Sequence, residues 1–356
     1  ESAQQLTGGL RRTGRMRRRG AALLCLLVTI LASVVGGGGA DVAGASSAGT
    51  SPLVGRRTDG PSAVWQTNAP GPQGQAAGSW TALLELARAR AAARAAFSDS
   101  VGAVVEPTAD GRVFTLFWSP SPNEPLGDRP TIVTLHGSDG LAFNEIALWH
   151  AHAASHGYAI LALQWWLGSG DGIDDYLRPR ESYAALASAL RAHGATPGRA
   201  LLHGFSRGSA NVYGVTALDR TEGDRWFRFV VANAGGATPG YPVNRDISAG
   251  RFGPSPFLGT AWATFCGGRD PTPERDGCPA MRRTATWVQG LGGELDLAIE
   301  DPASGHGGFQ MTPAHVEAVL DRFGQRLGQE QHADAVARPA EATSGAVSRA
   351  CGRGGS

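Results

Sequence analysis

The chain has 356 residues, 42% hydrophobic and 18% charged, which is enough for one large domain with a sizeable core plus tails. The formal net charge of +1 conceals an asymmetry: residues 1–40 hold six arginines and one glutamate, and the remainder carries 26 basic against 30 acidic residues. Every basic residue is arginine and those beyond residue 40 are scattered, so there is no basic stripe and nucleic-acid binding is excluded.

In chain order, Met16-Arg17-Arg18-Arg19 precedes an apolar run at 21–35 and the small-residue stretch Ala43-Gly44-Ala45. That order of charge, apolar core and cleavage site reads as an export signal, and the run is shorter than the ~20 residues of a spanning helix. The expectation is a secreted protein without a stable membrane anchor. Residues 1–45 are then upstream extension and signal, and 46–79, rich in Gly, Ser, Pro and Ala, a disordered linker. One large domain occupies 80–328, and 329–356 lose apolar pattern and read as a disordered tail.

Within the domain, 80–97 predict a helix, and 100–106 with 112–118 a hairpin turning at Ala109-Asp110-Gly111. Strands are predicted at 131–135, 158–164, 200–203, 227–232, 262–266 and 295–299, and helices at 144–156, 181–193, 208–218, 279–291 and 313–327. Continuous apolar strands separated by helices predict an α/β fold: a mostly parallel central sheet with helices on both faces. Such sheets place ligands beyond the carboxyl ends of their strands. Residues 235–259 are Gly- and Pro-rich with no long helix, so no large lid domain is expected over the site.

The chemistry-bearing residues fall at those strand ends. Gly204-Phe205-Ser206-Arg207-Gly208 fits G-x-S-x-G, a weak match alone in a chain with 51 glycines, but it lies between a predicted strand and a predicted helix. There the turn is too tight for side chains two residues either side of the serine, and the helix N-terminus favours negative charge. A serine needs a base, and His306 sits in the Gly-flanked loop after the last strand. Asp270, just past the strand at 262–266, is the candidate to orient that base, with Asp276 and Asp301 as competitors. Loop 136–140, His-Gly-Ser-Asp-Gly, follows an early strand; the Ser138 N–H there and the Arg207 N–H are candidate oxyanion donors, a surface turn being the alternative.

Trp165 and Trp166, at another strand end, could grip an acyl or aryl group or simply pack the core. Cys266 and Cys278 are expected to pair in an exported protein, while Cys25 falls in the apolar run and Cys351 in the tail. His152 and His156 have the i,i+4 spacing of a zinc pair, but no H-E-x-x-H glutamate or third ligand is evident, so no metal or other cofactor is expected. Asp171, Asp174 and Asp175 lack calcium-loop spacing.

Over roughly 100–327 these motifs together resemble the α/β-hydrolase superfamily, and more loosely the secreted bacterial esterases of the polyhydroxyalkanoate-depolymerase, feruloyl-esterase and polyester-hydrolase groups. The order Ser206, Asp270, His306 is the order of that fold. The resemblance implies a serine esterase with an acyl-enzyme on Ser206, and the open cleft expected without a lid suits bulky or polymeric esters. Two departures are Arg207-Gly208-Ser209 after the nucleophile, where many relatives have a small or apolar residue and then two glycines, and an early loop without three glycines. A peptidase or amidase, an acyltransferase, and a non-catalytic binding protein are the alternatives. A monomer is favoured.

Overall fold

A computed structural model describes residues 79–337, with side chains through 329. The export signal, Cys25, most of the linker, Cys351 and the tail beyond 337 lie outside the described residues. Helices α1 (Trp80–Arg90) and α2 (Ala92–Ser100) come first, then strands β1 (Val104–Pro107), β2 (Phe114–Trp118) and β3 (Thr131–Leu135). Helix α3 (Ala142–His156) leads to β4 (Ala159–Leu163), α4 (Pro179–Ala192) to β5 (Ala200–Phe205), and α5 (Arg207–Thr221) to β6 (Phe227–Asn233). The short α6 (Pro242–Ser248) precedes β7 (Ala261–Gly267), followed by α7 (Cys278–Gly290), β8 (Glu294–Asp301), α8 (Gly308–Met311) and α9 (Pro313–Ala337).

The strands form one sheet in the order β1-β2-β4-β3-β5-β6-β7-β8. β2 runs antiparallel to both its neighbours, and from β4 to β8 every pairing is parallel. β3 (TIVTL), β4 (AILAL) and β7 (AWATFCG) are buried along their whole length, as strands covered on both faces must be. On one face α3 meets α8 through a Trp149–Phe309 ring contact, and Tyr158, just after α3, packs on Phe323 of α9. On the other, α5 meets α7 through Tyr213 and Trp287, and α4 through an Asn211–Ser182 hydrogen bond.

Two boundaries differ from expectation. The single helix expected over 80–97 breaks at Ala91 (φ −120°, ψ 40°). No proline or glycine stands there, so packing imposes the break: α1 buries Leu83 and Ala87, and α2 buries Ala95 and Ser98. Helix α9 continues through Ala337, beyond the predicted end at 327. The far edge strand β8 is acidic, and its carboxylates are partnered from the flanking helices: Arg326 reaches Glu294 (2.6 Å) and Asp296 (2.8 Å), and Arg282 pairs with Glu300.

A buried polar cluster crosses the sheet beneath the site. Thr134 Oγ1 donates to Glu145 (2.5 Å) and lies 2.8 Å from His203 Nδ1, while Asn233 Nδ2 meets His203 Nε2 at 3.2 Å. His203 thus bonds locally, and Trp149 and Phe309 hold its ring. Among the described residues no helix is long and apolar enough to cross a membrane.

Candidate active site

Strand β5 ends at Phe205 and α5 starts at Arg207, so Ser206 alone makes the turn, at φ 53° and ψ −114°. A non-glycine residue at positive φ is strained by about 1–3 kcal/mol and persists only where its surroundings dictate it. Here they do. The Ser206 N–H donates to the Asn233 carbonyl at 2.8 Å. A side chain at Gly204 would strike Val212 (2.6 Å) and the Gly208 backbone, and one at Gly208 would strike the Leu135 and His136 carbonyls. The tight crossing of β5, α5 and the end of β3 therefore fixes the serine above the sheet, at the positive end of α5.

His306, in the loop between β8 and α8, reaches Ser206 Oγ with Nε2 at 2.8 Å and Asp270 Oδ2 with Nδ1 at 2.7 Å. With Nδ1–H donating to the carboxylate, Nε2 is left to accept the serine proton. The Asp270 side chain is fully buried and that of His306 is 29% exposed, so the series runs from the interior to solvent. Asp270 also closes an Asx turn: its Oδ1 accepts the Thr272 N–H at 2.8 Å and faces Thr272 Oγ1 at 3.1 Å. The Asp-Pro turn and the orienting carboxylate are one device, with one oxygen for the backbone and the other for the histidine.

The competing acids are engaged elsewhere. Asp276 accepts from Thr272 Oγ1 (2.7 Å) and Arg275 Nε (2.8 Å), and Asp301 accepts the Ala303 N–H (2.9 Å). Cys266, in β7, and Cys278, at the start of α7, form a disulfide with Cα atoms 5.0 Å apart. It encloses Asp270, Thr272 and Asp276 in one cross-linked loop.

The β3 end lies against the nucleophile. A Cβ on Gly137 would come within 2.9 Å of Phe205 Cδ1 and 3.1 Å of Ser206 Cβ. Gly140 N–H donates to the Gly137 carbonyl (3.1 Å), and Asp139 at φ 57° completes a tight turn. Ser138 follows Gly137, which lies against the serine, and the Arg207 N–H at the first position of α5 has no intrahelical acceptor. The same turn is both the surface turn and the candidate oxyanion loop. Beneath it His136 is fully buried; burial pushes its pKa down to about 4, against the Gly137 carbonyl and the charge of Glu145, so the ring is neutral.

Trp165 and Trp166 do not line the site. Both pack into the core: Trp165 Nε1 donates to the His136 carbonyl (3.0 Å) and Trp166 Nε1 to the Gly170 carbonyl (3.0 Å), with Arg90 over the Trp166 ring. The chain bends under the oxyanion loop at this strand end, a direction that the residue types do not encode. Trp287 of α7 lines a separate cavity of about 290 Å³ with Gly236, Glu274 and Arg283, and none of Ser206, Asp270 and His306 lines it.

The strand order, the strained serine between β5 and α5, and the acid and histidine after β7 and β8 decide the architecture. The fold is that of the α/β-hydrolases. No family model matches the chain, and no curated protein matches its sequence. In architecture it is similar to solved esterases: one from Pyrobaculum calidifontis (15% identity, 70% of this chain and 93% of that one, TM-score 0.48) and LipW from Mycobacterium marinum (16%, 70% and 88%, 0.48). Esterase B from Lactobacillus rhamnosis is similar to the same degree (15%, 72% and 98%, 0.48). At these identities and scores the likeness says nothing of substrate or chemistry.

As possible metal ligands, His152 and His156 do find the third residue that the sequence did not reveal. Both bond Glu317 of α9, His156 Nε2 at 2.8 Å, and hold that carboxylate below its usual range, but the three do not converge on a common point. The groups among the described residues whose donor atoms do converge are Asp270–Asp276–His306, already bonded as above, and Cys266–Cys278–Glu300, whose sulfurs are bonded to each other.

Proposed function

We propose that the protein is a secreted serine hydrolase acting on carboxylic esters through an acyl-enzyme on Ser206. The observation that carries this reading is the hydrogen-bonded series Ser206–His306–Asp270, ending on a serine held at positive φ over a helix N-terminus. In the reaction His306 Nε2 takes the Ser206 proton as Oγ attacks the acyl carbonyl. The oxygen of the tetrahedral intermediate accepts hydrogen bonds from the Arg207 and Ser138 N–H groups. Its collapse breaks the bond to the alcohol, which leaves with the proton from His306. Water then attacks the acyl-enzyme, His306 again taking the proton, and the acid leaves as Ser206 is restored.

Bulky or polymeric esters suit an open site. Between β6 and β7 the described chain inserts only the seven-residue α6, so no helical insertion stands there to cover the nucleophile. The disulfide and the N-terminal charge-and-apolar order support export. The test is a panel of p-nitrophenyl esters of graded acyl length, a matched anilide and a polyester film, each with wild type and Ser206→Ala. The expected outcome is ester turnover that vanishes in Ser206→Ala and film hydrolysis by wild type. Anilide turnover matching that of the ester would favour an amidase, and retained activity in Ser206→Ala would remove the nucleophile.

A further inference from the structure

The residue after the nucleophile has a side chain with more to do than its position requires. Arg207 Nε donates to Ser138 Oγ (3.0 Å), Nη1 to the Gly172 carbonyl (3.0 Å), and Nη2 to the Asp171 carbonyl (2.7 Å), with the Asp171 carboxylate 3.1 Å away. Its guanidinium lies 4.4 Å from the centre of the Tyr176 ring, and its side chain is 13% exposed. Every nitrogen of the fork is therefore engaged within the protein, so this cation is not held ready for a substrate anion. Tyr176, whose phenol burial pushes up to about 12, donates to the Asp171 carboxylate at 3.1 Å. Tyr176 also packs on Trp165 (4.7 Å), whose Nε1 donates to the His136 carbonyl. The contacts close a ring: Arg207, Tyr176, Trp165, His136, Gly137, Ser138 and back to Arg207.

We infer that the Arg207 side chain is a positioning residue for the oxyanion site: it fixes Ser138, and so the second N–H donor, relative to the donor on its own backbone. The inference rests on the hydrolase reading above. Ser138 and Asp139 are solvent-exposed and Asp139 is at positive φ, so the turn has little burial of its own to hold it. The Arg207 backbone is fixed at the start of α5. A planar guanidinium that bonds Ser138 on one edge and loop 171–172 on the other transfers that rigidity to the turn. Lysine, a point charge on a flexible stem, would not reproduce the fork.

The experiment compares wild type with Arg207→Ala, Arg207→Lys, Ser138→Ala and the Arg207→Ala/Ser138→Ala double variant on a short p-nitrophenyl ester. It reads kcat per serine titrated with a fluorophosphonate, KM, and the Ki of a trifluoromethyl ketone, whose adduct carries an oxyanion. Arg207→Ala is expected to lower kcat per titrated serine and ketone affinity in parallel by about 10- to 100-fold, with KM within about threefold. Arg207→Lys should recover little, and added guanidinium should restore part of the Arg207→Ala rate. Ser138→Ala, an exposed and foldable change, should lose about 3- to 10-fold in both readouts, and the double variant should be no worse than Arg207→Ala. A kcat per titrated serine near wild type in Arg207→Ala, an unchanged ketone Ki, or a silent Ser138→Ala would each overturn the inference. If wild type itself neither turns over esters nor labels at Ser206, the hydrolase reading fails instead, a result distinct from these.

Discussion

Asp270 divides its carboxylate oxygens between the backbone and His306. Its Oδ1 holds the Thr272 N–H and its Oδ2 faces His306, while the nearby Asp276 spends its oxygens on Thr272 and Arg275. Asp270→Asn should leave the turn standing but present the imidazole in the wrong tautomer, lowering kcat by about 10⁴-fold. Asp276→Asn keeps the triad bonds and should stay within about tenfold of wild type. Steady-state kinetics on both variants checks the assignment, and the reverse ranking would move the orienting role to Asp276. The spacing and order of Ser206, Asp270 and His306 in the chain were enough to bring those three to one point, because each follows a strand of one parallel sheet. Thr272 was not legible, although Asp-Pro-Thr is the sequence of an Asx turn. For Trp165 and Trp166 the choice between gripping a substrate and packing the core stayed open in the sequence, because which way a ring turns depends on packing against distant elements.

Among elements, the strands were the most legible, their apolar runs agreeing with the observed strands to within a few residues; the central ones, such as β3, β4 and β7, are buried along their whole length. The break at Ala91 was illegible, since an alanine-rich segment favours unbroken helix locally and only tertiary contacts bend it. The crossing of β3, β5 and α5 tolerates no volume. Gly208→Ala pushes a methyl into the Leu135 and His136 carbonyls and should destabilise the fold by about 1–3 kcal/mol, measurable by urea unfolding. The Cys266–Cys278 bridge ties β7 to α7 around the Asp270 loop. In the chain-entropy picture a short loop of this kind contributes about 3 kcal/mol. Reduction, or the Cys266→Ser/Cys278→Ser pair, should lower the melting temperature and cut turnover together; equal stability with and without reductant would show the loop holds itself.

At the scale of the whole molecule, the polar groups under the site make the fold sensitive to acid. His136 is held neutral, with a pKa near 4 against 6.5 for a free imidazole. The unfolded chain therefore binds the extra proton between those values. The stabilisation is complete above about pH 6.5 and is lost progressively as pH falls toward 4, a few kcal/mol in all. Burial works to raise the pKa of Glu145, but bonds from His203 and Thr134 outweigh it and hold the carboxyl below its usual value. Its contribution is present above pH 4.5 and disappears as pH falls through the lower folded value, so the two effects add. The urea midpoint should fall steadily from pH 7 to pH 4.5, and a flat profile would mean that His136 is not buried neutral. The sheet's outer margins carry a different consequence. An exposed strand edge invites a second molecule to extend the sheet. Here one margin ends in Pro107, which has no N–H to offer, and the other presents the carboxylates of Glu294, Asp296 and Glu300 on β8. Two copies meeting along β8 would set like charges side by side, each already committed to an arginine of its own chain. The described sheet thus resists self-templating during refolding or storage at high concentration.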